Sequence, residues 1–165
     1  MQDVIRTMIK VLGANDPLAG PMTEKESKDF LESKDLLIHI GTVDEKGEPI
    51  VTPTGYYFDR DLDKIYITTQ KNSKKVNNLR RKNAIYFCID DPTPPFKGVR
   101  GKATVKISED INHNLSITKK LLMRAMGSLE DPTAKWLLSE TENGNEVILE
   151  ISPSYYSTWD YTKTP

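Results

Sequence analysis

Two threonines closing a strand, then a serine and two lysines opening a helix, carry the clearest chemistry in the sequence: Thr68-Thr69 and Ser73-Lys74-Lys75. Ser73 is a residue type that caps helices, and Val76 and Leu79 fall at i, i+3 on one face of the short helix it would open. The first turn of a helix leaves backbone N–H groups free and gathers the positive end of the dipole. Lys74 and Lys75 lie in that turn, where their charge opposes the dipole. An anion there removes the conflict, and the hydroxyls of Thr69 and Ser73 add donors, which describes a phosphate pocket. The same residues equally describe a solvated basic helix, since Lys71 precedes them and Arg80-Arg81-Lys82 follows.

The elements that must position these residues are strands. KIYITT leads into Thr69. Before it, DLLIHIGTV ends at the turn DEKGEP, where Gly47 accepts positive φ. PIVTPTGYYF reads as one alternating strand, with Pro53 marking an edge or a bulge. AIYFCID and VRGKATVKI are the fourth and fifth strands, Gly101 suggesting a bulge or a close backbone approach, and EVILEIS is the sixth. Turns as short as DEKGEP and DRDLD demand antiparallel neighbours. The expectation is five antiparallel strands over residues 35–107, a helix opening at Ser73 between the third and fourth, and a small barrel whose closure removes exposed edges.

Helices are expected at the periphery. Thr23 and Glu26 form a capping box with Phe30 and Leu31 as anchors. A longer helix runs from about Asp110 to a stop at Gly127, and DPTAKWLLSE carries Pro132 near its first turn. Val4, Ile5, Met8, Ile9 and Leu12 share a face at helical spacing, so residues 1–34 read as a helical extension of a single domain spanning 1–165.

Composition limits the partners. The net charge of −1 gives no general attraction for nucleic acid or for an anionic membrane. No stretch is apolar enough to span a bilayer, and Asp3, Arg6 and Lys10 interrupt any signal-peptide core, so a soluble, cytoplasmic protein is expected. Cys88 is the one cysteine, which fits a reducing compartment, and its apolar surroundings read as core. His39 and His113 have no carboxylate or cysteine spacing that completes a metal site, and there is neither a nucleophile elbow nor a P-loop.

Order along the chain adds a resemblance. Gly47-Glu48-Pro49, then Thr68-Thr69, then Ser73-Lys74-Lys75 with Leu79, then Val99-Arg100-Gly101-Lys102-Ala103 is similar to the pyridoxamine 5′-phosphate oxidase-like split-barrel family. The similarity covers about residues 35–107 plus the terminal strand EVILEISP. It implies a mainly β fold, a six-stranded antiparallel Greek-key split barrel with peripheral helices. It further implies a homodimer holding FMN at its interface. Lys75 and Lys74 would face the phosphate, with Thr68, Thr69 and Ser73 donating around it and Arg100 as a further cation. Val51, Thr52 and Pro53 would lie against the ring.

The sequence also departs from the oxidase branch. PIVTPTGYYF has no basic residue where that branch carries an arginine and a lysine, Thr52 and Tyr57 standing in rough register with them. The tail YYSTWDYTKTP has neither the arginine nor the histidine of the substrate clamp, so vitamin B6 oxidation is not implied. The resemblance leaves three functions: an FMN-dependent oxidoreductase acting on a small molecule or electron donor, a deazaflavin-dependent reductase, and a non-catalytic flavin-binding or flavin-sensing module.

Overall fold

The computed structural model describes residues 8–33 and 36–163. In chain order the elements are β1 (Val11–Gly13), α1 (Glu24–Leu31), β2 (Ile38–Val43), β3 (Pro49–Thr54), β4 (Tyr57–Asp59), β5 (Lys64–Gln70), α2 (Lys74–Arg81), β6 (Ala84–Asp91), β7 (Lys97–Ser108), α3 (Ile111–Met126), α4 (Pro132–Glu142), β8 (Glu146–Pro153) and β9 (Tyr156–Asp160). The strands make one sheet in the order β3-β2-β6-β7-β8-β5-β4, with β9 joined to β7 and β1 to β9. Every pairing along that path is antiparallel, and β6-β7-β8-β5 is a Greek key. The fold is thus the mainly β, curled antiparallel sheet of a split barrel, with a few helices at its edges.

Alternation builds the core. On β2, Ile38 and Ile40 turn inward, and they meet Ile65 and Ile67 of β5, Phe87 and Ile89 of β6, and Leu149 and Ile151 of β8. Local signals set the helix ends. Thr23 and Glu26 form the reciprocal capping box of α1, and Ser73, Asp110 and Asp131 cap the other three helices. Gly127 ends α3 in the left-handed conformation, φ 70°.

Four expectations change. PIVTPTGYYF is not one strand. It breaks at Gly55-Tyr56, because Tyr56 turns into the core and donates a 2.8 Å hydrogen bond to the Leu31 carbonyl. The Arg124 guanidinium covers that ring at 4.2 Å and donates to the Tyr56 and Ser33 carbonyls. At the N-terminus, residues 8–13 are not helical. Val11–Gly13 forms β1, parallel to β9, while Val4 and Ile5 lie outside the described residues. The tail after EVILEIS adds β9, where Tyr156, Thr158 and Asp160 alternate inward. The sheet therefore holds nine strands among the described residues rather than six. Finally, Cys88 is half-buried on the sheet's outer face, not in the core.

Candidate functional site

At the end of β5 and the start of α2 the structure assembles a small polar cluster. Ser73 caps α2, its hydroxyl accepting from the Val76 N–H. Lys75 reaches back and donates to Thr69 Oγ1 at 2.7 Å, and the Thr69 and Ser73 hydroxyls lie 3.4 Å apart. Burial pushes the Lys75 ammonium below its ordinary range, with only the more distant Glu146 charge pulling the other way. Cations nearby are engaged. Lys71 and Arg80 both hold Glu109, at 2.7 and 3.2 Å, and Arg81 holds Glu45 at 3.2 Å. Lys74 and Lys75 have no carboxylate at ion-pair distance among the described residues.

Thr68 stands apart from this cluster. Adjacent strand residues point to opposite faces, and Thr68 donates instead to Glu146 Oε2 at 3.1 Å. Glu146 opens β8, is 5% exposed, and is pushed above the usual carboxylate range by burial. Sequence reasoning missed Glu146 because nothing within its own strand marks its first residue as a neighbour of Thr68. Asn78 was also missed. It fastens α2 to the sheet by donating to the Thr42 hydroxyl at 3.1 Å.

The ring-facing candidates lie on the sheet's outer face. Register aligns Pro53, His39, Cys88, Arg100 and Ser157 in one row, and Val51, Gly41, Tyr86 and Lys102 in the next. Val51 is 66% exposed and Tyr86 62%, on the two strands that flank Gly41. Thr52 pairs with inward-facing Ile40 and offers this face only its backbone. His39 Nδ1 lies 3.8 Å from Asp90, whose carboxylate is also 3.9 Å from the Cys88 sulfur. Burial first, then Asp90, pushes the Cys88 thiol up to about 11, so it is not a ready nucleophile. Among the described residues no group of three His, Cys, Asp or Glu converges on a metal position.

Arg100 does not join Lys75 within one subunit. Thr68, next to Lys75's partner Thr69, pairs with Ile148, and Ile148 pairs with Ser108. Arg100 lies eight residues back along β7 from Ser108, about 26 Å at 3.3 Å per residue. Its guanidinium covers the Trp159 ring at 5.8 Å.

A Greek-key half-barrel with a capped helix between its strands, hydroxyls and a half-buried lysine at that cap, and a bare outer face defines a class of fold and a candidate anion site. Comparison gives the family. The pyridoxamine 5′-phosphate oxidase family signature matches residues 23–160, and the chain belongs to that family. Among solved structures it is similar to the conserved hypothetical protein Rv2991 of Mycobacterium tuberculosis, with TM-score 0.72, 24% identity, and 85% of this chain and 86% of that one covered. It is similar to an F420 reductase, with TM-score 0.63, 24% identity, and coverage of 79% and 94%. It is also similar to an FAD-binding protein of Mesorhizobium loti, with TM-score 0.64, 19% identity, and coverage of 87% and 98%. At these identities the structures attest the fold. Among curated proteins none matches the sequence. No helix among the described residues is long and apolar enough to cross a membrane.

Proposed function

We propose that this chain is an FMN-binding oxidoreductase of the cytoplasm, acting on a small molecule as a homodimer. One observation carries the reading: Lys75 is half-buried at a helix N-terminus, with a neutral hydroxyl as its partner and no carboxylate at ion-pair distance. A desolvated cation in that position gains most from a phosphate. Thr69 and Ser73 supply hydroxyls beside it and Lys74 a second charge, so the residues present fit the FMN phosphate. Thr68 acts one step removed, by holding Glu146. Val51 and Pro53 offer an apolar floor to the ring, and the Thr52 backbone offers polar groups to its edge.

The exposed Val51 and Tyr86, on the strands either side of Gly41, support the dimer, since a second copy would cover them and give the ring its other wall. A bound flavin supplies the redox chemistry. The chain's own residues bind it, fix its orientation and exclude water from it.

The test is direct. Purified protein is titrated with FMN, riboflavin and deazaflavin, and the FMN complex is then mixed with NADPH. FMN binding tighter than riboflavin, with bleaching of the visible absorption and a dimer in sedimentation, is the expected result. Failure to bind any of the three overturns the reading. Binding without bleaching by NADPH leaves the sensing module in its place.

A further inference from the structure

Two opposite charges at the end of β5 are each satisfied by a neutral hydroxyl rather than by each other. Lys75 donates to Thr69 at 2.7 Å, and Glu146, 5% exposed, accepts from the neighbouring Thr68 at 3.1 Å. Adjacent strand residues face opposite sides, so the ammonium and the carboxylate flank the strand end without forming an ion pair. Burial holds the Glu146 carboxyl above the usual range, against the pull of the Thr68 hydrogen bond and then of the Lys75 charge. Burial holds Lys75 below its usual range, and Glu146 is the charge that opposes it. Each group therefore helps to keep the other ionised.

The surrounding charges offer Glu146 no substitute. From α4, Glu140 adds a second negative charge, which works against ionisation. Lys71, in the loop from β5 to α2, gives its backbone N–H to the Asn145 carbonyl at 2.8 Å, but Glu109 holds its ammonium at 2.7 Å. Lys74 acts on Asp44 instead. Asp110, ahead of α3, is a further carboxylate and is committed to capping that helix. Lys75 is thus the cation on which an ionised Glu146 depends.

We propose that Glu146 takes up a proton from solvent when the cofactor phosphate binds beside Lys75, so that the occupied site holds the phosphate, the ammonium and a neutral Glu146 carboxyl. This rests on the FMN reading of the site. A phosphate dianion offsets the Lys75 charge that Glu146 feels and adds its own repulsion, while the carboxylate stays desolvated. A neutral carboxyl still accepts the Thr68 hydroxyl, so the proton can arrive without rearrangement. Binding that takes up a proton weakens as pH rises between the group's values in the free and occupied states. Here that window lies above the ordinary carboxylate value of 4.5.

Calorimetric titration of FMN and of riboflavin, in phosphate-free buffers of differing ionisation enthalpy, counts the protons exchanged. The parent should take up more protons with FMN than Glu146→Gln does, and the two proteins should not differ with riboflavin. The FMN phosphate itself titrates near about pH 6, and its contribution cancels between the two proteins. The FMN affinity of Glu146→Gln relative to the parent should rise about three- to tenfold between about pH 5 and pH 8, the size of a screened charge–charge interaction. Infrared difference spectra of the parent with isotope-labelled glutamate need no variant: FMN should produce a protonated-carboxyl band and riboflavin should not. Absence of that band overturns the proposal even where Glu146→Gln fails to fold. FMN binding with equal proton counts in the two proteins overturns the proposal alone, as does riboflavin causing the same uptake as FMN. Failure of the parent to bind FMN overturns the phosphate reading, and the proposal with it.

Discussion

Lys75 donates a 2.7 Å hydrogen bond to the Thr69 hydroxyl, so an ammonium at a helix N-terminus is satisfied by a neutral oxygen of the strand before it. The two other close cations on that side, Lys71 and Arg80, share Glu109. Charge left unmatched beside free helix N–H groups is what a phosphate would complete.

Removing that charge should separate phosphate from ring. Lys75→Ala should weaken FMN roughly ten- to a hundredfold, the worth of one charge-assisted hydrogen bond. Riboflavin, without the phosphate, should bind the variant and the parent alike. Lys82→Ala, at the far end of α2, should affect neither ligand. Fluorescence titration of the three proteins measures all of this, and equal losses for FMN and riboflavin would place Lys75 in the fold or under the ring instead.

The same lysine sets a pH dependence. Burial lowers its pKa, so it loses its proton at a pH where an exposed lysine is still charged. Its charged form is the one that attracts phosphate. FMN affinity should therefore fall as pH rises through the lowered value, below the ordinary 10.5. Riboflavin measured over the same range corrects for titration of the ring. A constant FMN-to-riboflavin ratio up to that pH would show that the lysine charge is not used.

Glu146 should reveal itself in stability. Burial raises its pKa, so the folded protein favours the protonated carboxyl. That contribution is complete below the unfolded value and is lost as pH rises through the raised one. Glu146→Gln removes the charge and keeps an acceptor for the Thr68 hydroxyl. The variant should melt about 2–4 °C higher at neutral pH, the shift about 1 kcal/mol produces in a domain of this size. Near pH 4 the two proteins should melt together. A gain of equal size at both pH values would point to packing rather than charge.

Two glycines on neighbouring rows of the sheet, Gly101 in the inward-facing row of Ile40 and Phe87 and Gly41 in the outward-facing row of Val51 and Tyr86, should behave differently. A Cβ on Gly101 would meet the Tyr155 carbonyl at 2.2 Å and the Phe87 ring at 3.2 Å. On Gly41 the nearest atom is the Tyr86 carbonyl at 3.5 Å, an ordinary contact. Gly101→Ala should cost about 1–3 kcal/mol in denaturant unfolding, and Gly41→Ala should stay within about 0.5 kcal/mol. Comparable small losses would mean that the chain around Tyr155 yields freely.

What the sequence determined by itself is local. The caps at Thr23 and Ser73, the stop at Gly127 and the alternation of Ile38, His39 and Ile40 on β2 each depend on residues a few positions apart, and all stand in the structure. The clustering of Thr69, Ser73 and Lys75 was legible for the same reason, since they lie within one strand-to-helix turn. Tertiary structure decided the rest. The break at Tyr56 depends on a hydrogen bond to Leu31, and β1 exists because β9 accepts it from the opposite end of the chain. The placement of Glu146 beside Thr68, and the separation of Arg100 from Lys75, follow from the pairing of β5, β8 and β7. Strand registers are set by contacts between distant segments, and a short window of sequence carries no energy term for them.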